Sequence, residues 1–237
     1  MKKLRILIII LLTASIPLLF ASATIRVMAG TTMLYEYGFT KYEISQATGI
    51  SSGDLKNVAR NMANYLSLSG DSPQTTVQID GKTTSIYNQK ELDHMKDVRG
   101  LMELAFQIQL ITTIILVICT VLAFRVKRIE WDTFFSGLIG GSVVSIASML
   151  GLVAVSLAGF DRFFWIFHEI SFSNTLWILD PSKNYLIMMF PSGFFNDAAL
   201  FCFAAVLIEA VIVGLASWKA INRTKKIPGE PAASPTA

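Results

Sequence analysis

Four long apolar runs divide the chain, at roughly Leu4–Met28, Glu103–Phe124, Phe134–Ala158 and Ala198–Trp218. A helix needs about 20 mostly apolar residues to cross a bilayer, and each run meets that length. Between the first and second runs, from about Ala29 to Gly100, polar and apolar residues mix as in a water-exposed domain. The pattern predicts a mostly α membrane protein, with four transmembrane helices and a small α+β extracytoplasmic cap. The expected spans are 1–28, 101–124, 134–158 and 198–218, with the cap at 29–100. A cytoplasmic turn at 125–133, an aromatic-rich outer loop at 159–197 and a cytoplasmic tail at 219–237 complete the division.

Local signals sharpen the cap. TTVQIDGKTTSI alternates β-branched residues around Asp80-Gly81, which predicts a two-residue hairpin. Ser51 with Asp54 opens a helix in the manner of a capping box, and Asn88 followed by Glu91 marks another N-cap. From Asn88 helix-forming residues run into the second span with Gly100 the sole breaker. His94 is therefore expected on a helix that continues into the membrane, less than about three turns above its apolar part. In the third span Gly137, Gly141 and Ser145 recur at helical spacing, with Ser148 and Gly151 beyond. Small residues on one face let helices approach closely in lipid.

Composition agrees with the pattern: 53% of the 237 residues are hydrophobic, and the mean hydropathy is +0.54. Basic residues set the orientation. Lys2, Lys3 and Arg5 precede the first span, Arg125, Lys127 and Arg128 follow the second, and Lys219, Arg223, Lys225 and Lys226 follow the fourth. Alternating spans put these clusters on one side, the cytoplasm by the positive-inside rule. The net charge of +3 is thus a topology signal, not a nucleic-acid footprint. Ala21-Ser22-Ala23 fits a signal-peptide cleavage pattern, but the apolar stretch outruns a usual signal core and continues to Met28, so a retained anchor is expected. ISQATGISSGDLKNVARNMANYLS resembles a DNA-reading helix-turn-helix. Its place outside the cell and its few basic residues, Lys56 and Arg60, reduce it to a helical pair of the cap, with no nucleic-acid partner. Cys119 and Cys202 fall at mismatched depths, which argues against a disulfide.

Candidate chemistry centres on the only two histidines. His94, with Glu91 and Asp97 at helical-neighbour spacing, lies just above the second span. His168 lies just beyond the third, in the aromatic stretch GFDRFFWIFHEISFSNTLW. Topology puts both at the same outer boundary. Two unrelated interfacial residues, a metal site completed by a carboxylate, and a metal-free acid–base pair all fit. No ligand-dense spacing such as H-E-x-x-H supports the metal, and no G-x-S-x-G motif supports a covalent nucleophile. Histidine titrates near neutral pH, and a carboxylate bonded to one ring nitrogen would orient it and leave the other free for proton transfer. Glu209, an ionisable residue near the middle of the last span, is a further candidate without a visible partner.

The segments around these histidines resemble one family. Glu91-Leu92-Asp93-His94-Met95-Lys96-Asp97-Val98 is similar to its cap motif E-L-x-H-M-x-D-V. Phe167 to Trp177 is similar to F-H-x-I-x-F-x-N-x-x-W, and Asp180 to Asp197 extends the likeness through D-P…L-I-x-M-F-P…F-F-x-D. Asn184 and Ser192 stand where acidic residues would be expected. The family is that of the lipoprotein intramolecular transacylases, four-helix bacterial membrane proteins with an outer cap. The resemblance implies an acyltransferase of the bacterial cell membrane, without metal or cofactor, acting on a diacylated lipoprotein among membrane lipids. The sn-2 acyl chain would move from the S-diacylglyceryl group to the α-amine of the N-terminal cysteine, leaving the lyso form. On that reading His94 and His168 are the acid–base pair, Asp97 or Glu91 orients His94, and Phe164, Phe167, Phe172, Asn174 and Trp177 bind substrate. The alternative is a non-enzymatic membrane protein, a binding or assembly factor whose cap meets a partner. The sequence sets no oligomeric state.

Overall fold

A computed structural model describes residues 2–125 and 131–224. The turn holding Lys127 and Arg128 and the tail from Lys225 lie outside the described residues. The chain is mostly helical. In order it forms α1 (Lys2–Ala29), α2 (Thr32–Lys41), α3 (Ile44–Thr48), α4 (Ser52–Leu66), β1 (Thr76–Ile79), β2 (Lys82–Ser85), α5 (Gln89–Arg125), α6 (Trp131–Ser171), α7 (Tyr185–Met189) and α8 (Ser192–Thr224). Helices α1, α5, α6 and α8 are each long and apolar enough to cross a membrane.

Two of these helices outrun their apolar segments. At 1.5 Å per residue, the 37 residues of α5 extend about 55 Å, against roughly 30 Å of hydrocarbon. Its polar first turns therefore stand clear of the apolar part and carry His94. Helix α6 kinks at Gly159, whose backbone is non-helical, and resumes to Ser171. The first part of the aromatic segment expected as a loop is thus helix, because only Gly159 interrupts a run of residues that can all continue one.

The small-residue face of α6 packs on α1. Gly137 meets Leu12, Gly140 meets Thr13 and Gly141 meets Ile16, so closely that a Cβ at Gly141 would lie 2.5 Å from Ile16 Cβ. Helix α6 also runs along α8, while α5 packs mainly on α1 and touches α6 far less.

The cap has its own apolar core, in which Tyr35, Phe39, Ile44, Ile50, Val58, Met62 and Val77 are buried together. The hairpin forms where expected: β1 and β2 pair antiparallel with Ile79 opposite Lys82, and Asp80 and Gly81 both take positive φ. That is the backbone a tight two-residue hairpin requires. Ser51 Oγ accepts from Asp54 N at 3.1 Å and starts α4. The cap is not built from 29–100 alone. Leu186, Met189, Phe190 and Phe194, from α7 and the start of α8, share the same core. Asp197 ties it down further, its Oδ2 accepting from Lys41 Nζ at 2.6 Å, Tyr42 OH at 2.8 Å and Tyr37 OH at 3.2 Å.

Candidate active site

His94 is held through the cap of its own helix. Asn88 Oδ1 accepts from Glu91 N at 3.1 Å, and Glu91 Oε2 accepts from Asn88 N at 2.8 Å. These reciprocal bonds satisfy donors at the start of α5. The other carboxyl oxygen, Oε1, accepts from Leu186 N at 2.8 Å. Glu91 is 1% exposed and both its oxygens hold backbone donors. It therefore joins α5 to α7 and does not orient the imidazole, because the capping geometry turns its carboxyl group toward the helix start. Asp97 Oδ2 accepts from Asn174 Nδ2 at 2.8 Å, while its charge still acts on His94, opposing the lowering of the imidazole pKa by burial. His94 Nδ1 is buried and lacks a hydrogen-bond partner among the described residues.

His168 is fixed differently. Its Nδ1 lies 2.7 Å from Phe164 O, one turn back on α6. A carbonyl oxygen can only accept, so Nδ1 carries the proton, and in the neutral ring Nε2 keeps its lone pair.

The fold brings the two imidazoles together from separate helices, with ring centroids 6.0 Å apart. Aromatic rings enclose them. Phe172 lies 5.2 Å from His94 and 5.6 Å from His168, Phe164 meets His168 edge-on at 4.4 Å, and Trp177 lies over it at 4.9 Å. Both histidines line one cavity of about 410 Å³, between the cap and the adjoining ends of the four long helices. That volume falls within the usual range for a small-molecule site. Phe164, Phe167, Phe172 and Trp177 line it too. Asn174 does not. Its side chain is engaged at both ends, donating to Asp97 and accepting from Leu176 N at 3.0 Å.

The rest of the wall was not singled out from sequence. Phe190 and Phe195 belong to it and lie inside the motif from Asp180 to Asp197, which could have flagged them. Tyr35 and Met28 also line it, and no local pattern marks either. Burial holds the Tyr35 phenol well above its ordinary pKa, and the hydroxyl donates to Ala29 O at 2.7 Å. Ser192 lines the cavity, while Asn184 Oδ1 accepts from Asp180 N at 2.8 Å and shapes the entry to α7. Glu209 lies on α8 beside Thr24 of α1, whose hydroxyl is 3.4 Å from Glu209 Oε1. Both cysteines are free. Among the described residues no cluster of three His, Cys, Asp or Glu side chains is placed to hold a metal.

Four apolar helices, a capping α+β unit and a histidine pair in an apolar cavity beneath it define a membrane protein with a candidate active site. The family described as lipoprotein intramolecular transacylase Lit matches residues 8–195. The chain belongs to that family. The solved structure of the membrane integral lipoprotein intramolecular transacylase Lit from Bacillus cereus aligns with a TM-score of 0.81 at 20% identity, covering 96% of this chain and all of that one. Two histidine variants of the Bacillus cereus protein align similarly. The variant to arginine gives 0.74 at 22% identity, covering 94% of this chain and 95% of that one, and the variant to alanine gives 0.76 at 20%, covering 94% and 96%. At these identities the structures establish the shared fold. No curated protein matches the chain.

Proposed function

We propose that this protein moves the sn-2 acyl chain of a membrane lipoprotein's S-diacylglyceryl group to the α-amine of the same molecule's N-terminal cysteine. The observation that carries the reading is the His94–His168 pair, 6.0 Å apart in an apolar, aromatic-walled cavity. Membership of the transacylase family supplies the reaction class. By the positive-inside rule, the Lys and Arg clusters support an outward-facing cap and cavity in the cell membrane.

The transfer balances without water or cofactor. The amine nitrogen bonds to the acyl carbon, the ester C–O bond breaks, and one proton passes from nitrogen to the departing glyceryl oxygen. Attack closes an eight-membered ring through nitrogen, Cα, Cβ, sulfur, two glyceryl carbons, the ester oxygen and the acyl carbon. Such a ring closes slowly in solution because several torsions must be frozen together. A cavity that folds the substrate beforehand can supply on the order of 7–11 kcal/mol toward that barrier. Phe164, Phe167, Phe172 and Trp177 form the wall that does this.

The two imidazoles divide the proton transfers. With its Nδ1–H bonded to Phe164 O, His168 has an Nε2 lone pair to take the amine proton. An α-amine has a pKa of about 8, within reach of an imidazole base. Burial and the neighbouring His168 lower the pKa of His94 to about 4, so it enters neutral; with its ring centroid 6.0 Å from that of His168, it relays the proton taken there to the departing glyceryl oxygen. General acid–base assistance of this kind contributes roughly 10²–10⁴-fold.

The test is to express the protein with a diacylated lipoprotein reporter and read the reporter's N-terminal peptide by mass spectrometry. The wild type should convert it to the lyso form, and His94→Ala and His168→Ala should not. Conversion that survives both substitutions overturns the catalytic assignment. An unmodified reporter with the wild type would favour a binding or assembly role.

A further inference from the structure

The segment Phe172–Ile178, which leaves α6 just after His168, crosses to α5 and is pinned there at two points. Asn174 Nδ2 donates to Asp97 Oδ2 at 2.8 Å, and Lys90 Nζ donates to Ile178 O at 2.6 Å. Asp97 lies one turn beyond His94 on α5. Elsewhere α5 and α6 touch little, because α5 packs mainly on α1. Two helices that carry one histidine each are therefore bridged at the histidines by this strap. The strap also delivers Trp177 to the His168 ring: Trp177 Nε1 donates to Asn174 O at 2.9 Å, and the two rings lie 4.9 Å apart. Phe172, at the strap's start, contacts both imidazoles.

We propose that Asp97 and Asn174 are positioning residues: their hydrogen bond latches the strap to α5 and so sets the separation of His94 and His168 and the seating of Trp177. The proposal rests on the transacylase reading for its activity readout only. Asn174 would then act through the strap and not on substrate, and Asp97 through its hydrogen bond to Asn174. The physical case is one of tolerance. Acid and base must meet two atoms of one folded substrate, and a misplacement of about 1 Å can cost on the order of 10²-fold in rate. A latch that ties the two supporting helices together holds that tolerance. The cavity's apolar wall, supplied from several elements, still binds the acyl chain when the latch opens.

The experiment uses a donor–acceptor exchange across the latch, in full-length protein in detergent micelles. Asn174→Asp retains an oxygen for Leu176 N and sets two carboxylates against each other, so it breaks only the bond to Asp97. Asp97→Asn together with Asn174→Asp reverses donor and acceptor and restores the bond. The single Asn174→Asp variant should lose roughly 10–100-fold in kcat on the diacylated reporter with KM little changed. Amide exchange over 172–178, read by mass spectrometry, should quicken. The double variant should return both values to within a few-fold of wild type, as coupling between contacting residues requires. Wild-type kcat and exchange in Asn174→Asp, or a double variant no better than the single, would overturn the latch. The exchange readout needs no turnover, so it tests the latch even where the wild-type protein leaves the reporter unmodified, which is the outcome that refutes the transacylase reading itself.

Discussion

Replacing Glu91 separates its capping role from any role as a partner of His94. In Glu91→Ala the first turn of α5 loses the acceptor for Asn88 N, and α7 loses the acceptor for Leu186 N, both bonds measuring 2.8 Å. Hydrogen bonds to a carboxylate contribute about 1.5–3 kcal/mol each, so losing the two costs about 3–6 kcal/mol. The donors are left in a site where the side chain was 1% exposed, so water does not readily replace it. For a chain of this size each kcal/mol lowers Tm by about 2–4 °C, which predicts a fall of at least about 6 °C. Glu91→Gln keeps one oxygen and should fall between the two. Thermal unfolding in detergent and amide exchange across α7 measure the effect, and exchange at Leu186 should rise most. A variant with unchanged Tm and unchanged α7 exchange, but with a displaced pH–activity profile, would refute the reasoning and return Glu91 to the imidazole.

Further outcomes follow from the same geometry. Gly141→Ala places a Cβ 2.5 Å from Ile16 Cβ and should weaken α1–α6 packing by about 1–3 kcal/mol, seen as a lower unfolding temperature in micelles. Gly81→Ala meets no atom within 4 Å but must keep φ near +75°, so it should cost about 1–2 kcal/mol through backbone strain alone, with activity intact. Asp197→Ala removes the oxygen shared by Lys41, Tyr37 and Tyr42, and amide exchange in α2 should rise relative to α4. Phe172→Ala takes away the ring that contacts both imidazoles, and the reporter's conversion to the lyso form should slow while the protein still folds.

How much of this could be read beforehand depends on the range of the forces involved. Helix existence, the Asp80-Gly81 turn and the caps at Ser51 and Asn88 follow from neighbours a few residues apart, and they appear where the pattern puts them. The packing face of α6 was legible for the same reason, since Gly137, Gly141 and Ser145 repeat at helical spacing. The extents of α5 and α6 were less so, because hydropathy marks only the most apolar part of a helix, and α5 begins among polar residues while α6 runs on through a mixed, aromatic-rich segment.

The sequence by itself determined four apolar helices, a mixed cap between the first two and a pair of histidines at one depth, because periodicity, capping and length are local properties. Only the tertiary structure decided what the carboxylates near His94 do. Spacing allows Glu91 and Asp97 to reach the imidazole, but a side chain goes to the donor that folding presents, and α7 and Asn174 come from about 80 to 95 residues away along the chain. The enclosure of the histidines by Tyr35, Phe190 and Phe195 was decided in the same way, by segments distant in sequence that share one buried apolar wall.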